Sequence, residues 1–188
     1  MSAEDGNALQ GEFGDAVLKT VEFRGEHTVV VALGSLRSIL AHAHKSQGFN
    51  LLLDVSSLDH MGEDPRFEIV YELATVDDSK HLRVRAAVAE EEEVPTVSDL
   101  WATANWHERE VFDMMGIRFT DHPDLKRILM WEGYPYHPLR KDFPLAGKPS
   151  EMPDVAFTGV APLEGGPFVT SAGSSDRVTG EPRAKGES

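Results

Sequence analysis

The chain has 188 residues, 40% of them hydrophobic, a mean hydropathy of -0.31 and a formal net charge of -14 at pH 7. That length suits one domain with tails, and the acidic balance opposes binding to nucleic-acid phosphates or to anionic lipid. There is no cysteine, which excludes disulfides, thiolate-ligated Fe–S clusters and cysteine-type zinc sites and fits a cytosolic chain.

The segment Met1–Asp15 is acidic, with neither an apolar signal core nor the Arg-rich character of a transit peptide. Within it, Leu9–Asp15 predicts a short helix. Val17–Arg24 and His27–Leu33 read as two strands, with Gly25 in a tight turn between them. Leu36, Ile39, Leu40 and Ala43 fall on one helical face and predict a helix over Ser35–Gln47. Gly34 or Ser35 would cap its start, Gly48 would stop it left-handed, and Phe49 would supply the apolar contact that follows such a stop. Leu51–Val55 reads as a buried strand and Asp59–Pro65 as a loop. Phe67, Ile69, Tyr71 and Leu73 alternate with smaller or charged residues, as do Leu82, Val84, Ala86 and Val88 with Arg83 and Arg85. A hairpin centred on Asp77–Lys80 would set Glu72 opposite Arg85. The acidic run Glu90–Glu93 reads as solvated chain.

Thr96–Met115 is the predicted long helix. Thr96 and Asp99 stand at capping-box spacing, and Leu100, Ala104, Val111 and Met115 share a face beside Trp101 and Phe112. Gly116 ends it and Ile117 follows as a contact. Asp121-His122-Pro123 is a turn, and Asp124–Met130 predicts one or two further helical turns. Beyond Phe143-Pro144 the pattern is lost. Residues 147–188 are rich in Pro, Gly and Ser and read as an extended tail, with Phe157 and Phe168 as anchors on a partner. The domain is expected over residues 1–146. The apolar runs Val29–Leu33 and Leu51–Leu53 are far short of the roughly 20 residues that span a bilayer.

Eight histidines invite a metal reading, but the spacings argue against it. His107-Glu108 begins H-E-x-x-H, yet position 111 is Val. His42 and His44 diverge on a helix, and His122 and His137 stand beside prolines, where capping the backbone is expected. Glu108 and Glu110 diverge too, and Arg109 with Asp113 reads as an ordinary i, i+4 ion pair. No nucleophile elbow, phosphate-binding loop or dinucleotide fingerprint occurs. From Arg118 to Lys148 six basic residues meet four acidic ones. Those charges, with Glu108, Arg109, Glu110 and Asp113, suffice for a network that fixes orientation. Trp131, Tyr134, Tyr136, Leu139, Phe143 and Leu145, interleaved with turn formers, look like a protein interface or a fold-back onto the core.

The stretches E-R-E-V-F-D-M-M-G-I-R-F (Glu108–Phe119), H-P-D-L-K-R-I-L (His122–Leu129) and P-L-R-K-D-F-P-L (Pro138–Leu145) resemble the C-type subunit of the bacterial proton-pumping NADH–quinone oxidoreductase, respiratory complex I. The resemblance covers about two-thirds of the chain. It implies a two-layer α+β domain with a mixed β-sheet, ordered helix, two strands, helix, three strands, then a long helix and an extended tail. It implies a place in the peripheral arm near the quinone module, on the cytoplasmic side of the bacterial inner membrane, attached indirectly. The neighbours would be chiefly the large quinone-module subunit and the adjacent Fe–S subunits. FMN, Fe–S clusters and quinone would belong to those partners, with no cofactor, metal or catalytic residue here. Glu108, Arg109, Glu110, Asp113, His122, Asp124, Arg127, Arg140, Lys141, Asp142 and Phe143 would hold the C-terminal segment in one docking geometry. Related complexes with another donor (F420H2, ferredoxin or hydrogenase type) share such a subunit. A small stand-alone enzyme using the carboxylates and His122, or a nucleic-acid module, is the reading from a different class.

Overall fold

The computed structural model describes residues 2–77 and 79–144. Helix α1 (Ser2–Phe13) and a 3-10 turn (Gly14–Ala16) lead into β1 (Val17–Phe23) and β2 (Glu26–Val31). Arg24 and Gly25 both take positive φ, 54° and 81°, as a two-residue hairpin turn of right-handed twist requires. Helix α2 (Leu33–Gln47) starts from an extended Ala32, and no side chain caps it, in place of the predicted Gly34 or Ser35. Its end is as expected. Gly48 has φ 82°, the Phe49 N–H returns to Ala43 O at 3.1 Å, and the Phe49 ring is fully buried. This is the left-handed closure with its apolar contact.

Strands β3 (Leu51–Asp59), β4 (Phe67–Ala74) and β5 (His81–Val88) complete a five-stranded sheet in the order β1-β2-β5-β4-β3. The β2–β5 pair is parallel and the other three are antiparallel, so the sheet is mixed. The helices share one apolar core with one face of the sheet. Phe67, Ile69, Tyr71 and Leu73 of β4 and the alternating apolar residues of β5 point into it, against Leu36, Ile39 and Leu40 of α2. The other face carries ion pairs, Arg83 with Glu72 and Glu26 and Arg85 with Glu68, and a hydrogen bond of 3.3 Å between His60 and Glu68. Here the expected Glu72–Arg85 pair is corrected. Ala74 stands opposite His81 and Leu73 opposite Leu82, so Glu72 meets Arg83, and Arg85 reaches Glu68. Two core leucines facing each other set that register.

Three further expectations are corrected. β3 runs to Asp59 as an outer strand, and Leu51, Leu53 and Leu58 are exposed. The long helix begins at Ala104, giving α3 (Ala104–Met115). Val94–Pro95 is instead a short strand, β6, parallel to β7 (Phe119–Thr120). The predicted cap has tertiary partners that outcompete it: Asp99 takes the Arg37 guanidinium in two bonds of 3.0 and 2.9 Å, and the Thr96 hydroxyl turns to Glu108. Finally, residues 124–130 form no helix, for a reason given below. Leu145, Lys148, Phe157, Phe168 and the rest of the predicted tail lie outside the described residues.

Candidate functional site

The site is built on the end of α3. The last four carbonyls of a helix lack intrahelical donors, and here the chain that follows supplies every one. Gly116 N–H bonds Phe112 O at 2.9 Å. Asp113 O takes Arg127 Nη1 at 3.1 Å and His137 Nδ1 at 3.0 Å. Met114 O takes the Leu139 N–H at 3.1 Å, and Met115 O takes Arg140 Nε at 2.6 Å. Gly116 makes this possible twice over. Its φ is 78°, and a Cβ there would lie 2.5 Å from Arg140 Nη2 and 2.7 Å from the His137 ring. Residues 137–140 are therefore strapped across the helix end.

Asp113 is the hub of the preceding segment. Its carboxylate is fully buried. Oδ2 accepts the N–H groups of Ile128, Leu129 and Met130 at 3.0, 2.7 and 2.9 Å, and Oδ1 accepts Arg127 Nη1 at 2.6 Å. Burial pushes its pKa up, but those amides and Arg127 outweigh it and hold the group below the ordinary aspartate value. Three consecutive amides given to one carboxylate cannot also bond to carbonyls four residues back, so 124–130 is an ordered loop and not a helix. The expected Arg109–Asp113 pair is absent for the same reason. Arg109 instead donates to Lys126 O at 3.0 Å and Arg127 O at 3.4 Å and stacks on Trp106.

Glu108 and His122 form a second buried pair. Both side chains are inaccessible, with His122 Nε2 at 3.8 Å from Glu108 Oε2. Glu108 accepts the Val97 N–H at 2.8 Å and the Thr96 hydroxyl, tying the β6 segment to α3. Burial raises its pKa to about 7 against those two bonds. His122 Nδ1 accepts the Asp124 N–H at 3.0 Å, so Nε2 carries the proton and donates to Asn105 O at 3.2 Å. Burial lowers its pKa and keeps the ring neutral. It caps backbone, as its place beside Pro123 suggested.

A third cluster clamps residues 140–142 to the end of β3. Arg66 grips Asp59 through two bonds of 2.9 and 3.0 Å, and the Lys141 N–H reaches Asp59 Oδ2 at 2.8 Å. Arg66 also meets Glu90 at 3.1 Å and Asp142 at 3.3 Å, and Arg140 meets Glu90 at 3.1 Å. Both guanidiniums lie over the Phe67 ring, at 4.9 and 5.1 Å. The bond to Arg66, then the Lys141 amide, hold the Asp59 pKa down against burial. The eleven predicted residues thus fall into three clusters rather than one network, and two of them play a minor part. Glu110 is exposed with no ion pair among the described residues, and Asp124 pairs at the surface with Lys126 at 2.8 Å. Lys141 acts through its amide. Phe143 ends a chain of aromatic contacts, Trp131 to Tyr134 to Tyr136 to Phe143, with centroids 4.6, 5.6 and 6.0 Å apart.

His137, like His122, caps backbone as expected, whereas Asp59, Arg66, Glu90 and the bond of Thr96 to Glu108 were not foreseen. Their partners lie 7 to 82 residues away, so no local spacing marks them, and Glu90 was read as solvated. No group of three or more His, Asp or Glu among the described residues is placed to hold a metal ion. No helix of the described residues is long and apolar enough to cross a membrane.

Comparison with known proteins gives the same direction. A family model described as the respiratory-chain NADH dehydrogenase 30 kDa subunit matches residues 29–149. The C-type subunit of the NADH-quinone oxidoreductase of Geotalea uraniireducens is 43% identical over 144 residues, covering 76% of this chain and 88% of that one. Its counterpart in Geobacter metallireducens is 45% identical over 141 residues, covering 74% and 87%. The counterpart in Geobacter sulfurreducens is 43% identical over 145 residues, covering 76% and 90%. Among solved structures, a chain of an archaeal membrane-bound sulfane sulfur reductase, a respiratory membrane complex, superposes with a TM-score of 0.65. It is 23% identical, over 77% of this chain and 86% of that one, and supports the fold. The chain belongs to the 30 kDa subunit family of respiratory-chain NADH dehydrogenases.

Proposed function

We propose that this chain is a non-catalytic structural subunit of the peripheral arm of NADH–quinone oxidoreductase. It braces the quinone-reducing module while electrons pass from NADH through Fe–S clusters to quinone and protons are translocated. The observation that carries this reading is where the motif charges go. Asp113, Glu108, Arg109 and Arg140 are bonded to backbone amides and carbonyls of this chain. Side chains committed in that way hold a shape and are poorly placed to turn over a substrate. Flavin, clusters and quinone then belong to neighbouring subunits, chiefly the large quinone-module subunit and the adjacent Fe–S subunits. Attachment is peripheral, on the cytoplasmic face of the inner membrane.

The test is gentle detergent purification of the tagged full chain from its native cells, followed by identification of co-purifying proteins and a donor:quinone assay. Recovery with Fe–S and integral membrane subunits and with NADH:quinone activity is expected, and the same assay separates NADH from another donor. Arg140→Ala, which frees Met115 O and leaves Glu90 to Arg66 alone, is expected to reduce that recovery. A partner-free chain at native abundance overturns the reading.

A further inference from the structure

β3 is the outer strand of the sheet, nine residues long. Its inner edge is paired with β4 from Leu51 opposite Ala74 to Asp59 opposite Phe67. On its outer edge no backbone group of residues 53–58 has a partner among the described residues. Such an edge is a template for a further strand. The register irregularity between Leu52 and Asp54 disturbs only its start.

Beside this edge runs α3. His107 Nδ1 meets Asp54 at 3.2 Å near one end, and the Lys141 amide meets Asp59 at the other. Between them lies a groove of about 480 Å³, whose apolar lining includes Leu58, Met114 and Leu139. Leu58 and Leu139 are 45% and 63% exposed. The charges are separated along it. Asp54, paired with His107, lies at one end, and Glu110, which has no ion pair among the described residues, lines the groove one helical turn after His107. Lys141 lies at the Asp59 end. Five residue steps along the strand, roughly 16 Å, separate the two ends.

We propose that this edge and groove receive an extended segment of a neighbouring subunit, added beside β3 as a sixth strand. The segment is apolar on the side that meets α3, with a basic residue against Asp54 and Glu110 and an acidic one against Lys141. Backbone bonds to the open edge supply the binding, and side chains at alternate positions supply the choice of partner. The inference rests on the reading of this chain as a structural subunit. A second copy fits less well: it sets a net charge of -14 against its equal and brings a second α3 to the same side of the joined edge.

The absence of cysteine gives a clean probe, Leu58→Cys in the full chain, purified free and in its native complex. Maleimide labelling is expected to be at least about tenfold slower in the complex, as for a site sealed from solvent. A benzophenone placed on that cysteine should cross-link to an extended, base-containing segment of another subunit. Glu110→Lys should lower recovery with the complex about tenfold, since like charges are then juxtaposed, while the unfolding midpoint of the free chain stays put. Labelling at the free-chain rate within the complex, a cross-link to a second copy or to a helix, or undiminished recovery of the lysine variant overturns the proposal. Failure of the unmodified chain to co-purify with any complex is seen before labelling begins, and it overturns the functional reading as well.

Discussion

Glu108 is a buried acid whose protonation lies within reach of neutral pH, and Glu108→Gln isolates its contribution. The side chain is fully buried, and its pKa is raised from 4.5 to about 7, chiefly by burial. The folded protein therefore binds this proton more tightly than the unfolded chain does. The stabilisation is complete below pH 4.5, falls as pH rises through the window to about 7, and is gone above it. That span corresponds to about 3 kcal/mol. Glutamine does not titrate, still accepts the Val97 N–H through its carbonyl, and can donate to the Thr96 hydroxyl. Urea unfolding of the full chain and of the variant should be compared at half-unit steps from about pH 5 to 8, the window the linkage sets. Other titrating groups cancel in the difference between the two curves. The variant should gain about 3 kcal/mol relative to the parent across the window, with the change complete above about pH 7.5. Two parallel curves would refute the reasoning, because a Glu108 ionised throughout would not be held by burial.

Three other perturbations test the clusters separately. Asp113→Ala leaves Arg127 and three amides without their acceptor and should cost about 3–5 kcal/mol, read as the shift of a urea midpoint at about pH 7. Gly116→Ala strains a residue at φ 78° and drives a Cβ into Arg140 and His137, whereas Gly48→Ala, at φ 82°, meets no atom within 4 Å. The second should cost about 1 kcal/mol; the first should cost more and abolish hydrogen-exchange protection of the Leu139 amide, a difference that vanishes if 137–140 is not strapped to α3. Lys141→Ala keeps the amide bond to Asp59 and should stay within about 0.5 kcal/mol of the parent. Asp59→Ala should cost several times that, with the difference from the parent shrinking as pH falls below 3.8, since the Asp59 pKa is held down in the fold.

Periodicity made most of the sheet and α2 legible, because those residues bury one face against a single core. Leu36, Ile39, Leu40 and Ala43 are all inaccessible, and so are the alternate residues of β5. The stop signals at Gly48 and Gly116 were legible for a different reason: a left-handed residue after an apolar periodic run has few other uses. What escaped were segments whose local preference lost to a distant partner. Thr96 and Asp99 have the letters of a helix cap, yet Glu108 and Arg37 claim them from 12 and 62 residues away. Asp124–Met130 has helical composition, but its amides are collected by Asp113. The motif itself was visible as a set of charges, and its division into three clusters was not. That division depends on Asp59, Arg66 and Glu90, which enter only through tertiary contact.

The three clusters also explain how this chain stays ordered after its regular structure ends. Past Met115 only a two-residue strand remains among the described elements, so residues 121–143 must satisfy their backbone groups by other means. A helix terminus offers surplus carbonyls and a buried carboxylate offers surplus acceptor sites. The E-R-E-V-F-D-M-M-G sequence places both within one turn of each other. Arginines and histidine then return from the following segment as donors, each meeting carbonyl or carboxylate at 2.6 to 3.1 Å. Apart from the bond to the exposed Glu90, these run between buried or half-buried groups and fix geometry more than they add stability. An irregular surface held in that way keeps one shape before any neighbour binds, and the ordering cost of docking falls accordingly.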